Sequence, residues 1–171
     1  LDLMLLPGIL VELEGETEIE ITRLRFARDG DENIRPMRAR EASIRLLRGI
    51  LSAAVGQSQT RSRLFIETPA GSFTAFDLRT FKFDISRVRI QAVSVRGRVN
   101  FKPPGGGAPV KFDAGQFIDW PTRGLAPQIV AESGPELQAE VPQILRAEKR
   151  LFGLQKQFGT GFVPWRERTK K

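Results

Sequence analysis

The sequence predicts an all-β domain, a β-sandwich or β-roll of short antiparallel strands, with a helical arm at its C-terminal end. Three observations carry that expectation. Apolar residues recur with a period of two at Leu64 and Ile66, at Phe81, Phe83 and Ile85, at Val93 and Val95, and at Val99 and Phe101, as strands with one face in a core require. Turn formers separate these runs, with Pro69 and Gly71, then Gly97, then Pro103 to Gly107, at intervals of roughly 8–12 residues. From Pro142 onward the apolar period lengthens to about 3.6, which is helical.

Taken in order, the opening LDLMLL is too apolar for a free tail and reads as a strand inside the sheet. After Pro7-Gly8, Val11 to Ile21 alternates strictly, with Glu12, Glu14, Glu16, Glu18 and Glu20 on one strand face. Such a row could share a hard cation, but an extended strand spreads carboxylates along a line where a calcium loop gathers them at a point. Neutralisation by the arginines at 23, 25, 28, 35, 38, 40, 45 and 48 is therefore expected, and no metal. Asp29 to Asn33 is a hairpin turn. Residues 35–55 read as two strands, with Ile44, Leu46 and Leu47 buried and Gly49 at a bend or bulge; a helix over Met37 to Leu51 is the rival. Residues 56–60 form a polar loop, and the Phe-rich middle is core packing.

The charge is uneven. The net +7 of the 171 residues divides into −2 over 1–60, +6 over 61–125 and +3 over 126–171. A basic middle could attract phosphate, lipid headgroups or acidic protein surfaces, which leaves peripheral membrane contact open, while a solvated mixed-sign sheet face is the preferred account of it. With no Tyr and two Trp, the stacking surface of a nucleic-acid binder is missing, and none is expected as a partner. No apolar run is long enough to span a bilayer. The first residues lack a basic region and a cleavage site, so they read as the start of a mature or trimmed product.

Chemistry is poorly supplied. The chain has no Cys, His or Tyr, which removes thiol nucleophiles, imidazole bases and the commonest metal ligands. Neither G-x-S-x-G nor a phosphate-cradling glycine loop is present, and no cofactor is expected. Nothing selects a carboxylate pair from the Asp and Glu residues, so a binding or scaffolding protein is the better class. The missing cysteines fit a Gram-negative periplasm without requiring it.

The order of several short elements resembles the periplasmic FecR-type domain, named for the iron-citrate transport regulator. They are Thr68, Pro69 and Phe73; Arg79, Phe83 and Ile85; Gly97, Val99 and Phe101; and Ala114, Gly115 and Gln116. Leu47 to Val55 resembles the strand, Gly and strand that precede the T-P element. The likeness spans roughly residues 5–120. Where the family has Arg-Gly-Thr, this chain reads Arg79-Thr80-Phe81, which implies a differently built corner. The resemblance implies a periplasmic or cell-envelope location. It also implies a non-enzymatic binding or scaffold module acting through protein–protein contacts, or alternatively the periplasmic signal-relay domain of a sigma-factor regulator.

The division expected is a β domain over 1–120 followed by 121–171, a Pro/Gly-rich linker, an amphipathic helix and a basic tail. Ser133 and Glu136 form a capping-box signature, and Pro142 either starts a second helix or kinks one. Ile144, Leu145, Leu151, Phe152 and Phe158 make an apolar stripe, with Arg146, Lys149, Arg150 and Lys156 on the other side. Since the β pattern closes near Gln116, these five are the candidate partner-binding residues, for another protein or a neighbouring copy. A helix packed back on its own sheet is the alternative.

Overall fold

The computed structural model describes residues 1–27, 39–56, 61–76, 79–85, 89–121, 128–130 and 135–159. In chain order the strands are β1 (Asp2–Leu6), β2 (Ile9–Ala27), β3 (Ala39–Val55), β4 (Arg61–Thr68), β5 (Gly71–Phe76) and β6 (Arg79–Ile85). They continue as β7 (Arg89–Arg96), β8 (Val99–Lys102), β9 (Val110–Phe112), β10 (Phe117–Pro121) and β11 (Gln128–Val130), and α1 (Pro135–Gly159) follows. The predicted all-β architecture with a C-terminal helix is present, and the opening LDLMLL is in the sheet, with Leu3 opposite Val11.

Two strands are not short. β2 and β3 run antiparallel along each other from the pair Ile9–Val55 to the pair Ala27–Ala39, and the sheet is built outward from them. Residues 39–55, expected as two strands, form one, because β2 supplies an unbroken partner along one edge. The other edge changes partner midway. Ala39 to Arg45 pairs with β4 in parallel, whereas Gly49 to Val55 pairs with β6 in antiparallel fashion. The sheet therefore forks at residues 46–48. One arm runs β4, β5, β8, β9 and the other runs β6, β7, β10, β11.

Both arms border one core. Leu64, Ile66, Phe73, Val99, Phe101 and Phe112 of the first arm and Ala92 and Ile118 of the second belong to the same buried cluster as Leu51, Ala53 and Val55 of β3. The Phe73 and Phe101 rings lie 4.6 Å apart at 31°, a tilted arrangement that stabilises beyond area burial alone. On β3, residues 51–55 are all buried, so alternation fails because both faces are covered. Leu51, Ala53 and Val55 point to the inner core, while Ala54 meets the helix.

One residue at the fork is miscast. Leu47, expected in the core, is 40% exposed, because its neighbour Leu46 takes the core face and β2 leaves Leu47 unmatched between Leu46 and Arg48. Gly49 sits at the pivot with φ +96°, and β2 answers with a bulge in which Gly15, Glu16 and Thr17 stand opposite that one residue. The Ile50 N–H donates to Thr17 Oγ1 at 3.0 Å. The Thr17 hydroxyl lies within donating reach of the Glu14 and Ile50 carbonyls. At the corner where the family glycine is replaced, the pairing of β6 with β7 slips between Thr80 and Phe81.

Past residue 120 the sheet continues. β10 crosses that position, and Gln128 to Val130, expected as loop, pairs with it as β11. α1 begins with Pro135 in its first turn, where a missing N–H costs nothing, and runs through Pro142 as one helix. The hairpin turn expected at Asp29 to Asn33, the loop at 57–60, the cap at Ser133 and the basic tail from 160 lie outside the described residues.

Candidate protein-binding surface

The stripe on α1 is covered by the chain's own sheet. Ile144 and Leu151 are each 1% exposed, the first packed in a cluster with Val93, Val95, Phe117 and Val141, the second with Leu10, Ala54 and Phe152. Leu145 and Phe152 are half-buried, and the Phe158 side chain lies outside the described residues. The sheet's outer face at Leu10, Ala54 and Val93 is the surface these residues need, and sequence spacing concealed it because those three sit inside continuous buried runs. Ile144 and Leu151 can reach a partner only if α1 lifts off.

Ion pairs from the middle of the helix add to that interface. Arg150 donates from Nε to Asp2 at 2.8 Å and from Nη2 to Glu12, and Arg96 on β7 meets Glu148 at 2.9 Å. The hydrogen bond to Asp2 holds the Arg150 guanidinium even more firmly charged than usual. Removing it by Arg150→Met should loosen β1 with little global effect, roughly 0.5–1 kcal/mol. Faster amide exchange at Leu3 and Met4 with a nearly unchanged denaturation midpoint is the expected observation, and unchanged exchange would show that β1 is held by its backbone alone.

Glu12, Glu18 and Glu20 of the glutamate row are met by arginine, though not all by the arginines named. Arg45 bonds Glu20 at 2.7 Å and Arg48 bonds Glu18 at 3.2 Å. Glu12 instead takes Arg150 from the helix. Arg23 faces Glu41 at 3.6 Å, and Arg40 turns inward to donate to the Pro7 carbonyl at 2.6 Å, where burial lowers its pKa from the ordinary guanidinium value. Arg28, Arg35 and Arg38 lie outside the described residues. Among the described residues no three Asp or Glu side chains converge as a metal cage would need.

The residues that resemble the FecR pattern mostly build structure. Thr68 accepts from the Ala70 N–H at 3.3 Å and donates to the Gly71 carbonyl at 2.9 Å, closing the β4–β5 turn. Gly115 N–H donates to the Ser94 carbonyl at 2.8 Å and Ser94 N–H to the Gln116 carbonyl at 3.2 Å, while Ser94 Oγ donates to the Gly97 carbonyl at 2.9 Å. The Gly97 and Ala114-Gly115-Gln116 elements are thus two sides of one knot.

The T-P element does more. Thr68, Pro69, Gly71 and Ser72 form one wall of an open groove of about 560 Å³, with Pro103, Pro104 and Gly105 on the other and Leu47 and Arg45 beside the fork. Lys102 puts a cation on the rim. The groove follows from the fork itself: where β4 leaves β3, the edge of residues 46–48 has no strand neighbour among the described residues, and the exposed Leu47 side chain and three prolines surround it. An exposed Leu47, proline-stiffened walls and a strand edge without a described neighbour suit an extended peptide better than a small molecule.

No family model matches the chain, and no curated protein does. Two crystal structures described as a "putative anti-sigma factor" from Parabacteroides distasonis ATCC 8503, at 1.65 and 2.50 Å, share its fold. Their TM-scores are 0.56 and 0.57 at 12% identity, over 81% and 82% of this chain. The chain spans 58% and 59% of their lengths. The sigma-regulatory description of these neighbours is compatible with the FecR resemblance. Among the described residues no helix is long and apolar enough to cross a membrane.

Proposed function

We propose that this chain is a non-enzymatic, protein-binding domain of the bacterial envelope that serves in a signal relay ending at a sigma factor. The observation that carries the reading is the shared fold with the two structures described as anti-sigma factors, over four fifths of this chain. The FecR-like order of elements supports it from the sequence side and favours the periplasm. The groove at the fork is the binding surface of choice, because its peptide-sized trough is built from the T-P turn and the Pro103 to Gly105 turn.

The test is genetic and physical together. Deleting the gene in its own host should change transcription of a small set of promoters that share one pair of promoter elements, and Leu47→Asp in the intact gene should reproduce that change while the purified variant stays folded. Leu47 is exposed, so this substitution costs little stability. A transcriptome unmoved by the deletion would refute the relay. A relay lost on deletion but intact in Leu47→Asp would place the binding surface elsewhere.

A further inference from the structure

We propose that the chain forms a two-fold dimer in which the outer half of β2 pairs antiparallel with β2 of a second copy. Beyond the pairing with β1, which ends near Leu13, the free edge of β2 has no strand neighbour among the described residues. That edge carries Ile21 and Leu24, 48% and 46% exposed. Both lie opposite buried residues of β3, Ile21 against Ile44 and Leu24 against Ala42. They extend the core face of the sheet past the point where the described residues bury it.

A bulge sets the pattern of the edge. Between the pairs Ile21–Ile44 and Arg23–Ser43, β2 carries one residue, Thr22, that β3 does not match. An extra residue shifts the phase of everything after it. Ile19, Ile21 and Leu24 therefore share the core face, and Glu18, Glu20, Arg23 and Arg25 share the other. The outer face reads acid, acid, base, base along one strand.

Such a row is complementary to itself when reversed. With the two-fold axis at Ile21 and the bulged Thr22 left unmatched in both copies, Glu20 stands opposite Arg23 of the second copy and Glu18 opposite Arg25. Ile19 then meets Leu24, and Ile21 meets its own counterpart. Without the bulge the acidic and basic pairs would fall on opposite faces, and no two-fold register would match them. Charges and bulges ordinarily blunt a free edge; here they select one partner and one register, and the dimer satisfies the backbone groups of the edge and covers the exposed apolar pair. The arrangement does not depend on the relay reading, since the fork groove lies on the opposite edge of β3.

Sedimentation velocity over a concentration series tests it. The wild-type chain should show a monomer–dimer equilibrium that weakens with added salt. E18R/E20R and R23E/R25E should each dissociate at least about tenfold more readily, because every cross-copy pair then carries like charges. Mixing the two variants restores opposite charges at all four pairs, so the mixture should dimerise as the wild type does. Misfolded variants could not do this. The chain has no native cysteine, so I21C should form a disulfide-linked dimer on mild oxidation, whereas L47C on the other edge should not. A wild type that stays monomeric, variants that dimerise alone, a mixture that does not dimerise, or equal cross-linking of I21C and L47C would each overturn the proposal.

Discussion

Ending the chain before Pro135 should leave a protein that aggregates or unfolds without cooperativity. α1 covers Leu10, Ala54 and Val93 on the outer sheet face, and its own Ile144 and Leu151 are almost fully buried there. Each of those side chains contributes about 1.5–3 kcal/mol by burial, and the strand residues they cover lose a similar benefit. Against a total stability of roughly 5–15 kcal/mol for a domain, the loss is most or all of the margin. Leu151→Ala isolates the effect at one site and should cost about 2–5 kcal/mol, read from chemical denaturation. A soluble truncated protein with a single sharp unfolding transition would show instead that the helix is a detachable arm, and would return Ile144, Leu145, Leu151, Phe152 and Phe158 to the role of partner-binding residues.

Strand positions with one covered face were legible because period two survives in them. Leu64 with Ile66, and Val99 with Phe101, alternate cleanly and are buried as expected. Legibility fails where both faces are covered. Residues 51–55 show no alternation, since the inner core takes alternate residues and the helix side takes the rest. A run buried on both sides is the signature of a third layer, and it was the one available sign that α1 had a reserved seat. The parallel pairing of β3 with β4 had no local signal at all, because register between distant strands is decided by tertiary packing.

The candidate surfaces were less legible than the fold for a related reason. Thr68 and Pro69 stood out as a turn and Pro103 to Gly105 as another, but only the fork brings the two turns around one groove. The alternating glutamates were conspicuous, yet their relation to Arg23 and Arg25 depends on one unmatched residue, Thr22. A bulge has no fixed sequence signature when it lacks a glycine. Ideal alternation therefore put the acidic and basic residues on opposite faces.

Gly49→Ala should be among the most damaging glycine substitutions at the described residues. A Cβ at position 49 would lie 2.5 Å from both Cα and Oγ1 of Thr17 and 2.9 Å from its Cβ, and the backbone there has φ +96°. A flexible side chain could move aside; the backbone of Thr17 cannot without opening the three-residue bulge that lets β3 change partners. Left-handed strain in a non-glycine residue adds about 1–2 kcal/mol, and the forced shift of packed backbone adds a further 1–3 kcal/mol, so a loss of about 2–5 kcal/mol is expected in denaturant unfolding. Gly15→Ala in the same bulge is the control: its φ is +43°, but nothing lies within 4 Å of the added methyl, so only the conformational part remains. Thr17→Gly combined with Gly49→Ala removes the clash with the threonine side chain yet leaves the clash with the backbone of residue 17, and the double variant should remain nearly as unstable as Gly49→Ala. Full rescue by Thr17→Gly would mean that the side chain, not the crossing of two backbones, holds the fork in position.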